Sequence, residues 1–240
     1  CRTDILMASA LGDIDRVRAF LDADPASVET AVNERYFPKI NPRAGGSIYI
    51  WTLGGNKSAH IIAREFGHDD VYRLLVSRTR DALKLAVACE LGDRAAYDAI
   101  RASHPDIATS FTDADLRNLV TAAESNNETA VRMMLVAGWP PNAGAFGGAT
   151  ALHWAGFHGN AEMARVLLEH HADTDVVEAQ FNGRPLGWAL HGSLHGWHRD
   201  RGDYPATVEA LLDAGATAPS AAEAKASEAV MAILHRRNLA

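Results

Sequence analysis

The chain has 240 residues, of which 48% are apolar and 22% charged, a globular composition that excludes wholesale disorder. Its formal net charge of −7 argues against nucleic acid or an anionic membrane as the partner, because both require a clustered cationic surface. No apolar run reaches transmembrane length and no signal peptide is visible, so we expect a cytoplasmic protein. Because it starts at Cys1 and not at Met, we also expect it to be a fragment of a longer protein.

Helix-pair units recur along the chain, each reading as a helix, a tight turn, a second helix and a polar loop. The third, fourth and fifth turns are 34 and 33 residues apart, a period typical of helical repeat arrays. The 55 residues between the first two turns indicate an insertion. The turns are Gly12-Asp13, Gly67-His68, Gly92-Asp93, Asn126-Asn127 and Gly159-Asn160.

Each second helix carries apolar residues at i, i+3 and i+4, as in Met163, Val166 and Leu167. Such a stripe predicts one helix face that is buried against the neighbouring pair. Gly138 and Gly215 follow second helices, where a left-handed cap residue is favoured. The pattern therefore predicts an all-α solenoid of six helix pairs that ends in a capping helix.

The fifth and sixth units resemble ankyrin repeats. Thr150-Ala151-Leu152-His153 and Arg184-Pro185-Leu186-Gly187 stand where that family has Thr-Pro-Leu-His, although Arg184 and Gly187 depart from its pattern. The resemblance covers residues 112–218 closely and 3–110 more loosely, and it implies one ankyrin-repeat domain of bacterial type over residues 1–240. We expect repeats at 3–30, 58–78, 81–103, 112–138, 146–172 and 181–216, insertions at 30–57 and 192–204, and a cap at 219–240.

The resemblance also implies where a partner would bind. Ankyrin repeats usually contact ligands through finger loops and through first-helix residues just before the Gly turn, which together line a concave groove. Here those positions hold aromatic and His side chains, the types that supply interface hot spots. Packing on neighbouring fingers is the alternative role for Phe157. The partner-binding candidates are Phe146, Phe157, His158, Phe181, Trp188, His191 and Trp197.

Histidines are concentrated in the last repeats, and they suggest a second hypothesis. If the sixth first helix continues far enough, His191, His195 and His198 share one face at i, i+4 and i+7, a spacing that can chelate a transition metal. The alternative function is thus an enzyme or a small-ligand or metal site at the sixth repeat. The sequence names no catalytic residue and no cofactor. His153 is instead expected to hydrogen-bond the backbone of adjacent loops.

The insertion at 30–57 is rich in aromatic residues. Residues 47–52 have β character and predict a hairpin arm, which would meet a partner or cover the apolar end of the second repeat. A further possibility is self-association through Ile5 and Leu6 at the first repeat. The main hypothesis is a protein-protein interaction module that binds a protein partner, with neither nucleic acid nor membrane as partner.

Overall fold

The computed structural model describes residues 4–33, 35–38, 47–144, 146–219 and 224–237. Within those ranges the regular structure is helical, and β pairing is limited to two isolated bridges. The predicted all-α class and the six helix pairs are therefore confirmed. Contacts divide the chain into two compact units, residues 1–107 and 108–240. A single domain over 1–240 stays a prediction.

In its described residues, the first unit contains three helix pairs and one extra short helix. In the first pair, Asp4 caps α1 by accepting hydrogen bonds from the amides of Leu6 and Met7, and Gly12 closes the helix in the left-handed region with φ 71°. Cys89 lies buried in α6, as expected for a small apolar side chain. The elements are α1 (Ile5–Leu11), α2 (Ile14–Ala23), a 3-10 helix (Pro25–Glu29), α3 (Ile48–Thr52), α4 (Ala59–Glu65), α5 (Asp69–Ser77), α6 (Asp81–Leu91) and α7 (Arg94–Ser103).

Two expectations for the first unit are wrong. Residues 48–52 form the helix α3 and not a hairpin arm. Tyr49 and Ile50 on one side of this helix pack on the core, while the other side of the helix faces solvent. The Tyr49 hydroxyl donates to Asp4, which holds the short helix in place. Ile5 and Leu6 are 3% and 0% exposed in the core of this unit, so they offer no surface for self-association. Residues 34 and 39–46 of the insertion lie outside the described part of the chain.

The second unit contains three helix pairs and a terminal helix. The first helices α8, α10 and α12 pack side by side in one layer, and the second helices α9, α11 and α13 form another. The elements are a 3-10 helix (Ile107–Ser110) that begins at the unit boundary, α8 (Asp113–Glu124), α9 (Glu128–Ala137), a 3-10 helix (Phe146–Gly148), α10 (Ala151–His158), α11 (Ala161–Glu169), α12 (Pro185–His195), α13 (Tyr204–Asp213) and α14 (Glu228–Arg236).

The turns between paired helices are fixed by side-chain caps. Asn127 and Asn160 accept hydrogen bonds from the amides of Ala130 and Met163, at 3.1 and 2.9 Å, at the start of α9 and α11. The predicted stripe residues of α11 are buried. Gly138 and Gly215 adopt left-handed conformations, with φ 105° and 92°, as predicted. These turns and buried stripes fix how each first helix is positioned relative to its second helix.

The terminal helix α14 caps the second unit. It packs on α13 through Val230, Ile233 and Leu234, which are buried, and the amide of Ser227 donates to Ser193 Oγ at 2.9 Å. The cap was predicted at 219–240, and its helix spans Glu228–Arg236. Residues 220–223 and 238–240 lie outside the described ranges.

Candidate functional site: an aromatic surface on α10 and α12

Two glycines allow α10 and α12 to pack closely. A Cβ atom at Gly156 would lie 2.6 Å from the carbonyl oxygen of Pro185, and one at Gly192 would overlap the carbonyl oxygen of Phe157. Neither position can carry a side chain without moving backbone. The close approach brings the side chains on the outer faces of both helices into one group.

Those side chains form a continuous group of rings, which we call the aromatic surface. Trp154 and Trp188 lie edge to face with ring centroids 5.2 Å apart, and Phe157 and Trp197 make a similar contact at 5.2 Å. Phe181 extends the group from the preceding loop, 6.3 Å from Trp188, and His191 extends it along α12. Its members are Trp154, Phe157, Phe181, Trp188, His191 and Trp197.

Exposure divides the aromatic surface into a base and a rim. Trp154, Phe157 and Trp188 are half-buried, whereas Trp197 and Phe181 are 65% and 69% exposed. Aromatic rings left in solvent to that extent are typical of binding surfaces. Five of the sequence-predicted binding residues meet here.

The other two predicted binding residues are placed differently. His158 is buried, and its Nε2 atom lies 2.9 Å from the carbonyl oxygen of Glu124. Burial lowers the pKa of this imidazole, which favours the neutral ring. His158 therefore packs beneath Trp154 and Trp197. Phe146 begins the 3-10 helix before α10, and its side chain lies outside the described atoms.

Trp154 was not predicted as a site residue, yet it lies at the centre of the surface. Its ring contacts Phe157, Trp188 and Trp197, with centroids 5.2 to 5.8 Å apart. The signal was present, because Trp154 precedes Phe157 by three positions and so shares its helix face. The resemblance directed attention to the positions nearer the turn and passed over it.

A tight loop after α12 holds Trp197 against α10. A Cβ atom at Gly196 would lie 2.5 Å from the hydroxyl oxygen of Tyr204, and that hydroxyl donates to the carbonyl of Phe157 at 2.9 Å. The predicted insertion at 192–204 is thus a continuation of α12 to His195, a glycine-containing loop and the start of α13.

The three histidines proposed as metal ligands do not lie together in the structure. His191 and His195 are neighbours on α12, with ring centroids 4.8 Å apart, but α12 ends before His198, whose ring lies 5.0 Å from that of His158. No group of three or more His, Cys, Asp or Glu among the described residues is arranged to hold a metal ion. The enzyme or small-ligand alternative stays a prediction.

His153 has the structural role expected of it. Its Nδ1 atom accepts a hydrogen bond from the amide of Thr150 at 3.0 Å, at the start of its own helix. Its Nε2 atom lies 3.3 Å from the carbonyl oxygen of Gly183 in the next loop. Burial lowers the pKa of this ring, so it bridges two repeats in the neutral form.

Comparison with known proteins agrees with this repeat geometry. Residues 119–221, which run from α8 to beyond α13, match the family described as ankyrin repeats in three copies. The palmitoyltransferase Hip14 of Drosophila melanogaster is 30% identical over 97 residues, which are 40% of this chain and 15% of that relative. The match thus spans well under two thirds of the relative's length. No helix in the described ranges is long and apolar enough to cross a membrane. By their helix pairs, their Leu-His step and this match, residues 119–221 consist of ankyrin repeats.

Proposed function

We propose that this protein is an interaction module that binds an apolar segment of a protein partner on the aromatic surface, without chemistry. Ankyrin repeats generally mediate protein-protein interaction. The observation that carries the proposal is the contact among Trp154, Trp188 and Trp197 on one face of the first-helix layer. We include the loops that carry Phe146 and Phe181 in the binding region.

The shape of the surface favours a protein segment as the occupant. Its aromatic rings lie 5.2 to 6.4 Å apart, so they fill the space between one another and present a surface instead of enclosing a pocket. A group of partly exposed rings can bury enough area against a protein segment to act as a hot spot, because each ring can bury about 150–250 Å².

The net charge of the second unit indicates which charge the partner segment carries. Residues 108–240 contain nine Lys and Arg against fifteen Asp and Glu, a formal charge of −6. Opposite charge on a partner speeds encounter and disfavours wrong partners. We therefore propose a partner segment with an apolar centre and basic flanks.

Site-directed photocrosslinking in a lysate of the source organism tests the proposal. A benzoylphenylalanine in place of His191 lies at the edge of the aromatic surface. The matched control replaces Val136, which is 64% exposed on α9 in the same unit. We expect one protein to crosslink from position 191 and not from 136, and Trp188→Ala to abolish that product. Identical products from both positions, or no product from 191, would contradict the proposal.

A further inference from the structure

A buried carboxylate organises the loop that leads into the aromatic surface. Glu178, between α11 and α12, is 1% exposed. Its side chain accepts hydrogen bonds from the amides of Gln180, Phe181 and Gly183, at 2.7, 2.9 and 3.0 Å. Its own amide donates to the carbonyl of Gly183 at 3.0 Å, which closes the loop. One side chain thus determines the path of the backbone that carries Phe181.

The same carboxylate also reaches the aromatic surface. The side chain of Trp188, whose only donor is the indole Nε1–H, interacts with this carboxylate and lowers its pKa. A Cβ atom at Gly183 would lie 2.9 Å from Trp188 Nε1 and 3.3 Å from Glu178 Oε1, so Gly183 leaves room for this contact. Glu178 therefore links the loop of Phe181 to the ring of Trp188.

The hydrogen-bond donors around Glu178 keep it ionised. Burial alone raises the pKa of a carboxyl group, but the amides of Gly183, Gln180 and Phe181 and the Trp188 side chain outweigh it, and the pKa of Glu178 is lowered. An ionised carboxylate accepts hydrogen bonds more strongly than a neutral group. The loop is consequently assembled at neutral pH before any partner arrives.

We infer that Glu178 is a positioning residue for partner binding, which holds Phe181 and Trp188 in their binding arrangement in the free protein. The inference rests on the proposed function of the aromatic surface. Ordering a loop and an indole ring during binding costs affinity, and fixing them beforehand removes that cost. Glu178 itself is buried and would not contact the partner.

The chain offers a matched control in the same loop. Asp175 accepts hydrogen bonds from the amide and hydroxyl of Thr217, at 3.1 and 2.8 Å, and pairs with Arg184 at 3.5 Å. No ring of the aromatic surface is among these partners. Glu178→Gln and Asp175→Asn therefore change one loop carboxylate each, with and without a link to the surface.

The first readout needs no partner. Hydrogen exchange and chemical shift of the Trp188 indole N–H, with amide exchange at Phe181, are measured by NMR on the full chain. We expect Glu178→Gln to shift the indole resonance and to speed its exchange about tenfold, because a neutral amide oxygen is a weaker acceptor than a carboxylate. Asp175→Asn should leave both unchanged. An unshifted indole resonance in Glu178→Gln would overturn the inference.

The second readout is affinity for a probe peptide, selected from a random phage-displayed library on the wild-type chain and crosslinked by the benzoylphenylalanine at position 191. We expect Glu178→Gln to weaken its Kd about tenfold and Asp175→Asn to leave it unchanged. An unchanged Kd in Glu178→Gln, while Trp188→Ala abolishes binding, overturns the inference alone. Binding that survives Trp188→Ala overturns the proposed function and the inference together.

A residue analogue covers the case in which Glu178→Gln fails to fold. Benzothienylalanine at position 188 has the shape of Trp but a sulfur atom in place of the indole N–H. It removes only the indole N–H that interacts with Glu178 and leaves the hydrogen bonds from the three backbone amides of the loop. Weaker binding of the probe peptide, by about tenfold, supports the inference, and wild-type affinity overturns it.

Discussion

The two units share one helix-pair design but differ at equivalent positions of their first helices. Ser58 and Thr150 both precede a first helix, and Gly67 and Gly159 both follow one, so α4 and α10 align residue by residue. At the position where α10 has Phe157, α4 has Glu65, which pairs with Lys57 at 2.5 Å. This position of the outer face is charged in α4 of the first unit and aromatic in α10 of the second.

The alignment also gives one reason for the close approach of α10 to α12. Gly156 of α10 corresponds to Arg64 of α4, an exposed side chain that pairs with Asp69 at 2.5 Å. A side chain at Gly156 would meet the carbonyl of Pro185. The repeat design therefore sets where side chains point, while single residues decide how close two helices come and which surface they share.

The largest expected effect concerns the buried histidine of the first unit. His60 Nε2 lies 2.8 Å from the hydroxyl oxygen of Thr79, and that hydroxyl donates to the carbonyl of Leu75, so His60 donates and is neutral. Burial lowers the pKa of His60 to about 4. Because the unfolded chain binds the proton more tightly, His60 costs stability as pH falls from about 6.5 to 4, by up to about 3 kcal/mol.

We therefore expect His60→Leu to remove much of the acid sensitivity of the first unit. The measurement is the free energy of unfolding at pH 7 and pH 4.5, from hydrogen exchange of α4 amides in wild type and variant. The wild-type loss should exceed that of the variant by about 2.5 kcal/mol. Equal losses in the two proteins would show that His60 binds its proton as readily in the folded protein as in the unfolded chain.

The next effect tests whether binding is confined to the second unit. Trp154→Ala removes the ring at the centre of the aromatic surface and should cost about 2 kcal/mol of affinity, roughly 30-fold in Kd. Trp51 on α3 of the first unit is 74% exposed, and Trp51→Ala should leave Kd unchanged. Calorimetric titration with the crosslinked partner compares the two. Comparable losses would mean that the partner also contacts the first unit.

A smaller effect tests the close approach of α10 and α12. A methyl group at position 192 would overlap the carbonyl oxygen of Phe157, so Gly192→Ala must separate the helices. We expect a loss of about 2 kcal/mol in the free energy of unfolding of the second unit, the usual cost of overpacking. Denaturant titration measures it, with hydrogen exchange at Phe157 as a local check. A stability within error of wild type would mean that the contact relaxes freely.

The local chemistry of the repeats could be predicted from the sequence. The turns at Asn126-Asn127 and Gly159-Asn160 use short-range rules, since capping and left-handed residues act within one turn of helix. The structural role of His153 was also predicted, from its place in the Leu-His step of the ankyrin pattern. The short helix α3 was missed because its residues have β propensity, and packing of Tyr49 and Ile50 on the core overrides that preference.

The geometry of the aromatic surface could be predicted only in part. The resemblance to ankyrin repeats indicated the contact positions, so Phe157, Trp188 and His191 were predicted as binding residues. The departure of His198 from its predicted neighbours depends on where α12 ends, and the Tyr204 hydroxyl near the following loop donates to the carbonyl of Phe157, which is 47 residues away. The link from Glu178 to Trp188 likewise joins a loop to a helix, and no local pattern indicates it.

The smallest expected effect separates two uses of glycine in one helix. Gly187 and Gly192 both lie in α12, but a Cβ atom at Gly187 would meet nothing within 4 Å. Gly187→Ala should therefore stabilise the second unit by about 0.5–1 kcal/mol, because alanine loses less conformational freedom in a helix. Thermal and denaturant unfolding of both variants measures the change in stability. If glycine is needed for helix packing only at position 192, Gly187→Ala stabilises the second unit and Gly192→Ala destabilises it. A stabilised Gly187→Ala variant that binds the partner more weakly would place position 187, one residue before Trp188, inside the contact area.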